Sequence, residues 1–100
     1  MTFKKIEFET EEEMEDHFRG GNYKFSKLVV DTILKNLNNK DKDIQVLEIF
    51  TRDTGTVYDI SIEKNTFKET LEANLKTMER FEDYERCSKI VEAVKFLDLN

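Results

Sequence analysis

Polar and apolar residues alternate most clearly between Ile44 and Glu63. Residues 56–63 (Thr-Val-Tyr-Asp-Ile-Ser-Ile-Glu) place Tyr58, Ile60 and Ile62 on one side and polar groups on the other. Residues 44–52 are rich in β-branched and aromatic types, and Asp53-Thr54-Gly55 separates the two runs, so 44–63 reads as a β-hairpin. Elsewhere the apolar period lengthens to that of a helix. Phe25, Leu28, Val29, Ile33 and Leu37 form one helical face over about 23–37, with Asn22 or Ser26 available as the cap. Phe67, Leu71, Leu75 and Met78 form a second stripe, opened by a Thr66/Glu69 capping box. A break near 81–83 precedes a last helix with Tyr84, Cys87, Ile90, Val91, Val94 and Leu97 expected inward. Near the start, Ile6 and Phe8 share one side of a candidate strand, 3–8. Thr10 and Glu13 then open a short helix that ends at Gly20-Gly21-Asn22. The order β-α-α-β-β-α-α defines an α+β fold: a small antiparallel sheet (hairpin 44–63, with 3–8 as a possible third strand) on helices. The chain closes with an antiparallel two-helix hairpin over about 66–98.

Composition narrows the classes. One hundred residues without proline or a linker-like stretch make one domain over 1–100, and 38% hydrophobic residues with eight Phe supply a thin core. Apolar runs are too short for a membrane span, and acid follows soon after the N-terminus where a signal peptide would need apolar residues. The single cysteine fits a reducing compartment, so the cytoplasm is the expected location. The net charge of −6 is uneven: residues 1–18 carry −5, 19–43 carry +3, and 44–64 and 65–100 carry −2 each. With so much negative charge, repulsion from phosphate makes direct nucleic-acid binding an unfavoured function; only the basic 19–43 stretch runs against this.

The last quarter of the chain carries a recognisable spacing. Leu71 and Leu75, then Tyr84-Glu85, the small pair Cys87-Ser88, Ile90, Val94 and Leu97 follow one another as do the apolar and small positions of a UVR motif. This segment, 71–97, resembles that motif, the helical hairpin of excision-repair proteins and of some chaperone-associated adaptors. It departs from it at Val91-Glu92, where the family has Arg-Asp, and at Met78 and Glu79, where the family has small residues. The resemblance implies a hairpin that docks onto proteins and performs no chemistry, with Cys87 and Ser88 allowing close helix approach. The acidic, Lys/Glu/Asn-rich chain with its Glu82–Cys87 run also resembles small uncharacterised proteins of large tailed phages, which implies a partner in a host cytoplasm.

Candidate chemistry is sparse. His17 shares a helix face with Glu13, but no third metal ligand is suggested. Cys87 lies within a packing stripe and has no neighbouring base. Gly20-Gly21 lacks the Gly-Lys-Ser/Thr ending of a phosphate loop. No catalytic residue, metal or cofactor is expected. What remains is surface. Glu7, Glu9, Glu11, Glu12, Glu13, Glu15 and Asp16 crowd one segment, either as a solvated helix start favoured by the helix dipole or as a patch for a basic protein partner. Phe81 and Phe96 fit no helical stripe, so they either tuck against the sheet or serve as exposed anchors. The candidate protein-binding residues are therefore Phe81, Glu82, Tyr84 and Phe96 on the hairpin, with Glu11, Glu12, Glu13, Glu15 and Asp16 on the acidic segment. The expected function is a non-catalytic adaptor or inhibitor acting on a cellular protein. Two alternatives are a homodimer or larger homo-oligomer assembled through the helical hairpin, and an acidic nucleic-acid mimic that inhibits a DNA- or RNA-binding enzyme.

Overall fold

A computed structural model describes residues 4–19 and 23–99. The elements run β1 (Lys4–Phe8), α1 (Glu11–Phe18), α2 (Tyr23–Lys35), β2 (Asp43–Thr51), β3 (Thr56–Glu63), a 3-10 turn (Lys64–Thr66), α3 (Phe67–Arg80) and α4 (Tyr84–Leu99). The chain is thus α+β, with a three-stranded sheet in the order β1-β2-β3 and a closing helical hairpin. Strand β1 covers the described part of the expected 3–8 segment; Phe3 lies outside the described residues, as do Gly20, Gly21 and Asn22.

The sheet is mixed rather than wholly antiparallel. Strands β2 and β3 pair antiparallel, with a bulge between Gln45 and Leu47, whereas β1 runs parallel to β2, Ile6 opposite Ile49 and Phe8 opposite Thr51. A parallel neighbour needs a long crossover, and α1 and α2 provide it between β1 and β2. The hairpin turn places Gly55 at φ +66°, in the left-handed region that glycine enters at little cost.

Register sorts the side chains. Ile6 and Phe8 of β1, Ile44, Leu47 and Ile49 of β2, and Tyr58, Ile60 and Ile62 of β3 share the face beneath the helices. Glu48, Phe50, Val57 and Asp59 stand on the other face. The inner residues of β2 are almost wholly buried, together with Val29, Val30 and Ile33 of α2, Phe67, Leu71 and Met78 of α3, and Ile90 and Ala93 of α4. Each of these side chains larger than alanine contributes about 1.5–3 kcal/mol by leaving water. The inner residues of β3 are only half-buried, because the helices centre on β2. The molecule is a plate of 46 × 31 × 19 Å, its thin dimension that of one helix layer on one sheet.

Several local expectations are corrected. Thr10 caps α1 by accepting from the Glu13 amide (3.1 Å), but Thr66 makes no side-chain cap and instead donates to the Glu63 carbonyl (2.8 Å), because the 3-10 turn precedes α3. Ser26 is no cap either: it lies inside α2, buried, and donates to Asn74 Oδ1 of α3. Val30, off the anticipated stripe, is fully buried because α2 is flanked both by β2 and by the α3–α4 pair. On α4, Tyr84 (65% exposed) and Val91 (44%) face outward instead of into the seam. Ser88 is exposed as well, and buried Ala93 is the small residue that lies in the core.

Candidate functional site

The turn between α3 and α4 is the most elaborated part of the surface. Helix α3 ends in a Schellman motif: the Asp83 amide donates to the Met78 carbonyl (2.8 Å) and the Glu82 amide to the Glu79 carbonyl (3.0 Å). That motif sets the residue after the cap in the left-handed region, where glycine is usual; here it is Glu82, at φ +57°. A carboxylate-bearing residue therefore holds a conformation that costs about 1 kcal/mol, at an exposed tip.

Asp83 then starts α4. Its Oδ1 accepts from the Arg86 amide (3.2 Å), as a helix cap does, and its Oδ2 accepts from Tyr23 Oη (2.7 Å) and Arg86 Nη1 (2.9 Å). Arg86 extends the chain of bonds, donating from Nε and Nη2 to both carboxylate oxygens of Asp31 on α2 at 2.9 and 2.7 Å. The Asp83 side chain is only 7% exposed, so its charge depends on these donors. The bond from Tyr23, chiefly, and those from Arg86 hold the Asp83 carboxyl below the usual carboxylate range despite the opposing effect of burial. The same Tyr23–Asp83 bond pushes the Tyr23 hydroxyl up, and the bonds to Asp31 do most to raise the Arg86 guanidinium. The network ties the tip to α2 and fixes its backbone.

On that base stand aromatic rings. Phe81, 47% exposed, stacks on Tyr23 with centroids 4.6 Å apart and planes 18° off parallel. Cations bracket the pair: Lys27 lies 4.5 Å from the Tyr23 centroid and Arg80 5.1 Å from that of Phe81. Phe81 thus does not tuck against the sheet; it leans on α2 with its outer surface in solvent. Tyr84, the first residue of α4, is the second exposed ring, so Phe81, Glu82 and Tyr84 are all exposed within one short stretch of the turn.

Phe96 is elsewhere, near the C-terminal end of α4. It is half-buried and borders two adjoining open grooves. One, of about 380 Å³, runs over Leu34, Leu37 and Ala93; the other, of about 1090 Å³, is rimmed by Lys40, Lys42 and Lys64 alongside Asp41, Asp43 and Glu63.

The acidic segment is dispersed by its neighbours. Arg52 donates to Glu7 (2.8 Å) and Glu9 (3.0 Å), which raises its own pKa. Glu11 accepts from Tyr58 Oη (2.8 Å) and Thr54 Oγ1 (3.1 Å), and Asp16 pairs with Arg19 (3.5 Å). Glu11, Glu12, Glu13 and Glu15 make no ion pair among the described residues, and of these Glu11 accepts side-chain hydrogen bonds instead. His17 lies against Phe8 and Phe18, with ring centroids 5.3 and 5.0 Å away. Among the described residues, no group of three or more His, Cys, Asp or Glu is placed to hold a metal ion, and no helix is long and apolar enough to cross a membrane. Burial, chiefly, and the Glu79 and Asp83 carboxylates raise the Cys87 thiol.

The Tyr23–Asp83–Arg86–Asp31 network went unread in the sequence. Its one local signal was Asp83 three residues before Arg86 at a helix start; the other two members are more than fifty positions away. Comparison with family models, curated proteins and solved structures finds no match to this chain.

Proposed function

We propose that the chain is a non-catalytic protein-binding module that presents the α3–α4 tip to a protein partner, with Phe81 and Tyr84 as anchors and Glu82 as the polar contact beside them. One observation carries this reading: two exposed rings and a left-handed glutamate sit on a turn anchored by a network centred on the nearly buried Asp83 carboxylate. Rigid aromatic side chains lose little freedom on binding, which is why such residues dominate interface energies. A non-glycine residue in the left-handed region is retained against its cost, which fits a side chain used for contact. The UVR-like spacing of 71–97 points the same way, since that family uses its hairpin for docking. The acidic segment supports a second surface less well, because Glu7, Glu9 and Glu11 are engaged within the fold. That also weakens the nucleic-acid-mimic reading, which needs a continuous row of carboxylates.

The test is quantitative capture of partners by the wild-type chain and by Phe81→Ala/Tyr84→Ala. Tyr84 is largely exposed, whereas Phe81→Ala removes the stack on Tyr23, so the variant keeps its fold but melts about 2–12 °C lower, and capture is compared below that transition. The variant should bind any captured partner at least about 30-fold more weakly, as loss of an interface anchor implies. Equal capture by the two proteins overturns the proposal.

A further inference from the structure

We infer that β3 is a self-pairing edge: two copies join antiparallel along Val57–Glu63, about a two-fold axis at Ile60, to make a continuous six-stranded sheet. The inference concerns a different face from the α3–α4 tip, so either can fail while the other stands.

Among the described residues, strand β3 has β2 as its one neighbour in the sheet, so its other edge presents backbone donors and acceptors along a strand with neither proline nor glycine. Edges of this length are ordinarily blunted by charge or covered. Beneath this one the core is unfinished, since Tyr58, Ile60 and Ile62 are only half-buried while the facing residues of β2 are sealed. A second strand at this edge completes that layer.

Charge limits the register, and the apolar row points to the occupant. Two registers overlap nearly the whole strand in a two-fold pairing. Centring on Asp59 sets that carboxylate against its own copy, and moving the centre to Ser61 opposes Asp59 and Glu63 of the two chains. Centring on Ile60 removes both conflicts: Ile60 meets Ile60, Tyr58 meets Ile62, and Asp59 meets Ser61 of the second copy. All three inner apolar residues then find cross-strand partners of the aromatic and β-branched kinds that stabilise antiparallel pairs. In this register the carboxylates are diagonal rather than directly opposite, and the apolar row Tyr58, Ile60, Ile62 is self-complementary, a match that a foreign strand would make only by chance.

Ser61 is exposed and opposite Gln45, which donates to Asp59 of the same chain (3.1 Å), so the melting temperature of each variant at low concentration is measured alongside. In the pairing Ser61 faces Asp59 of the other copy twice over. Ser61→Asp therefore weakens self-association by about 2- to 30-fold, and Ser61→Lys strengthens it by a similar factor. Sedimentation equilibrium up to about 1 mM on wild type and both variants measures this. Hydrogen exchange alongside should show amides of 56–63 gaining protection as concentration rises. A wild-type chain that stays monomeric throughout overturns the inference, whatever else binds that edge. So does a dimer indifferent to residue 61, or one that both variants shift in the same direction. If one variant fails to fold, the sign and size of the other still decide.

Discussion

Asp83→Asn isolates the charge at the centre of the tip network while keeping its shape. The carboxylate accepts three hydrogen bonds, from Tyr23 Oη (2.7 Å), Arg86 Nη1 (2.9 Å) and the Arg86 amide (3.2 Å), with its side chain 7% exposed. An amide retains one acceptor oxygen, enough for the helix-capping bond to Arg86. Its NH2 group then faces Arg86 Nη1, a donor that cannot turn to accept, and the Tyr23 hydroxyl must reverse. At least one charge-assisted bond is lost, worth about 1.5–3 kcal/mol. For a hundred-residue domain that lowers the melting temperature by roughly 6–20 °C at pH 7. The pH dependence has a definite sign. The folded-state pKa of Asp83 is depressed, so its contribution is complete above the unfolded value near 4 and disappears as pH falls through the folded pKa. The gap between wild type and variant should therefore close as the acid limb is approached. Tyr23 gives the mirror case: its pKa is raised, so its contribution is complete below about pH 10 and is lost as pH rises through the folded value. Thermal melts of Asp83→Asn, Tyr23→Phe and the double variant from pH 3 to 11 measure all of this, and the two single losses should not add. A change in melting temperature under about 2 °C, a gap that persists unchanged into acid, or strict additivity would refute the reasoning.

Two further substitutions test neighbouring features. Glu82→Gly relaxes the left-handed backbone at φ +57°, so denaturant unfolding should show a gain of about 0.5–1 kcal/mol while partner capture falls; a loss of stability would show that the Glu82 side chain supports the turn itself. Cys87, with its pKa raised mainly by burial, should react with a disulfide reagent at pH 8 at least about 10-fold more slowly than free cysteine, and equal rates would remove it from the packing stripe.

What the sequence revealed was whatever is encoded locally. The period-two run at Tyr58, Ile60 and Ile62 and the helical stripe at Phe67, Leu71 and Met78 each specify an element and its inner face without reference to the rest of the chain. Phe81 was legible as a ring outside any stripe, and that irregularity marks the tip. What the sequence concealed depends on which element lies beside which. Val30 is buried by helices that arrive some forty residues later, and the parallel pairing of β1 follows from a crossover that no hairpin rule anticipates. Tyr84 and Ser88 were expected inside because the spacing of 71–97 invites it. The seam instead closes through Ile90 and Ala93, turning Tyr84 out to solvent. The network at Asp83 is tertiary in the same sense: its acids and its arginine look like ordinary surface charges until α2 is laid beside the turn.

The parallel pairing of β1 also sets an order on assembly. Lys4 meets Leu47, so pairing β1 closes a loop of about forty residues that contains both crossover helices. The β2–β3 hairpin closes over a four-residue turn and carries its register within itself. Closing the long loop costs more chain entropy than closing the short one, and that cost must be met before any long-range contact is gained. On that ground the hairpin is expected to form first and β1 to be laid against it late. Arg52, reaching from the end of β2 to Glu7 and Glu9, is the clasp that holds the late strand in place.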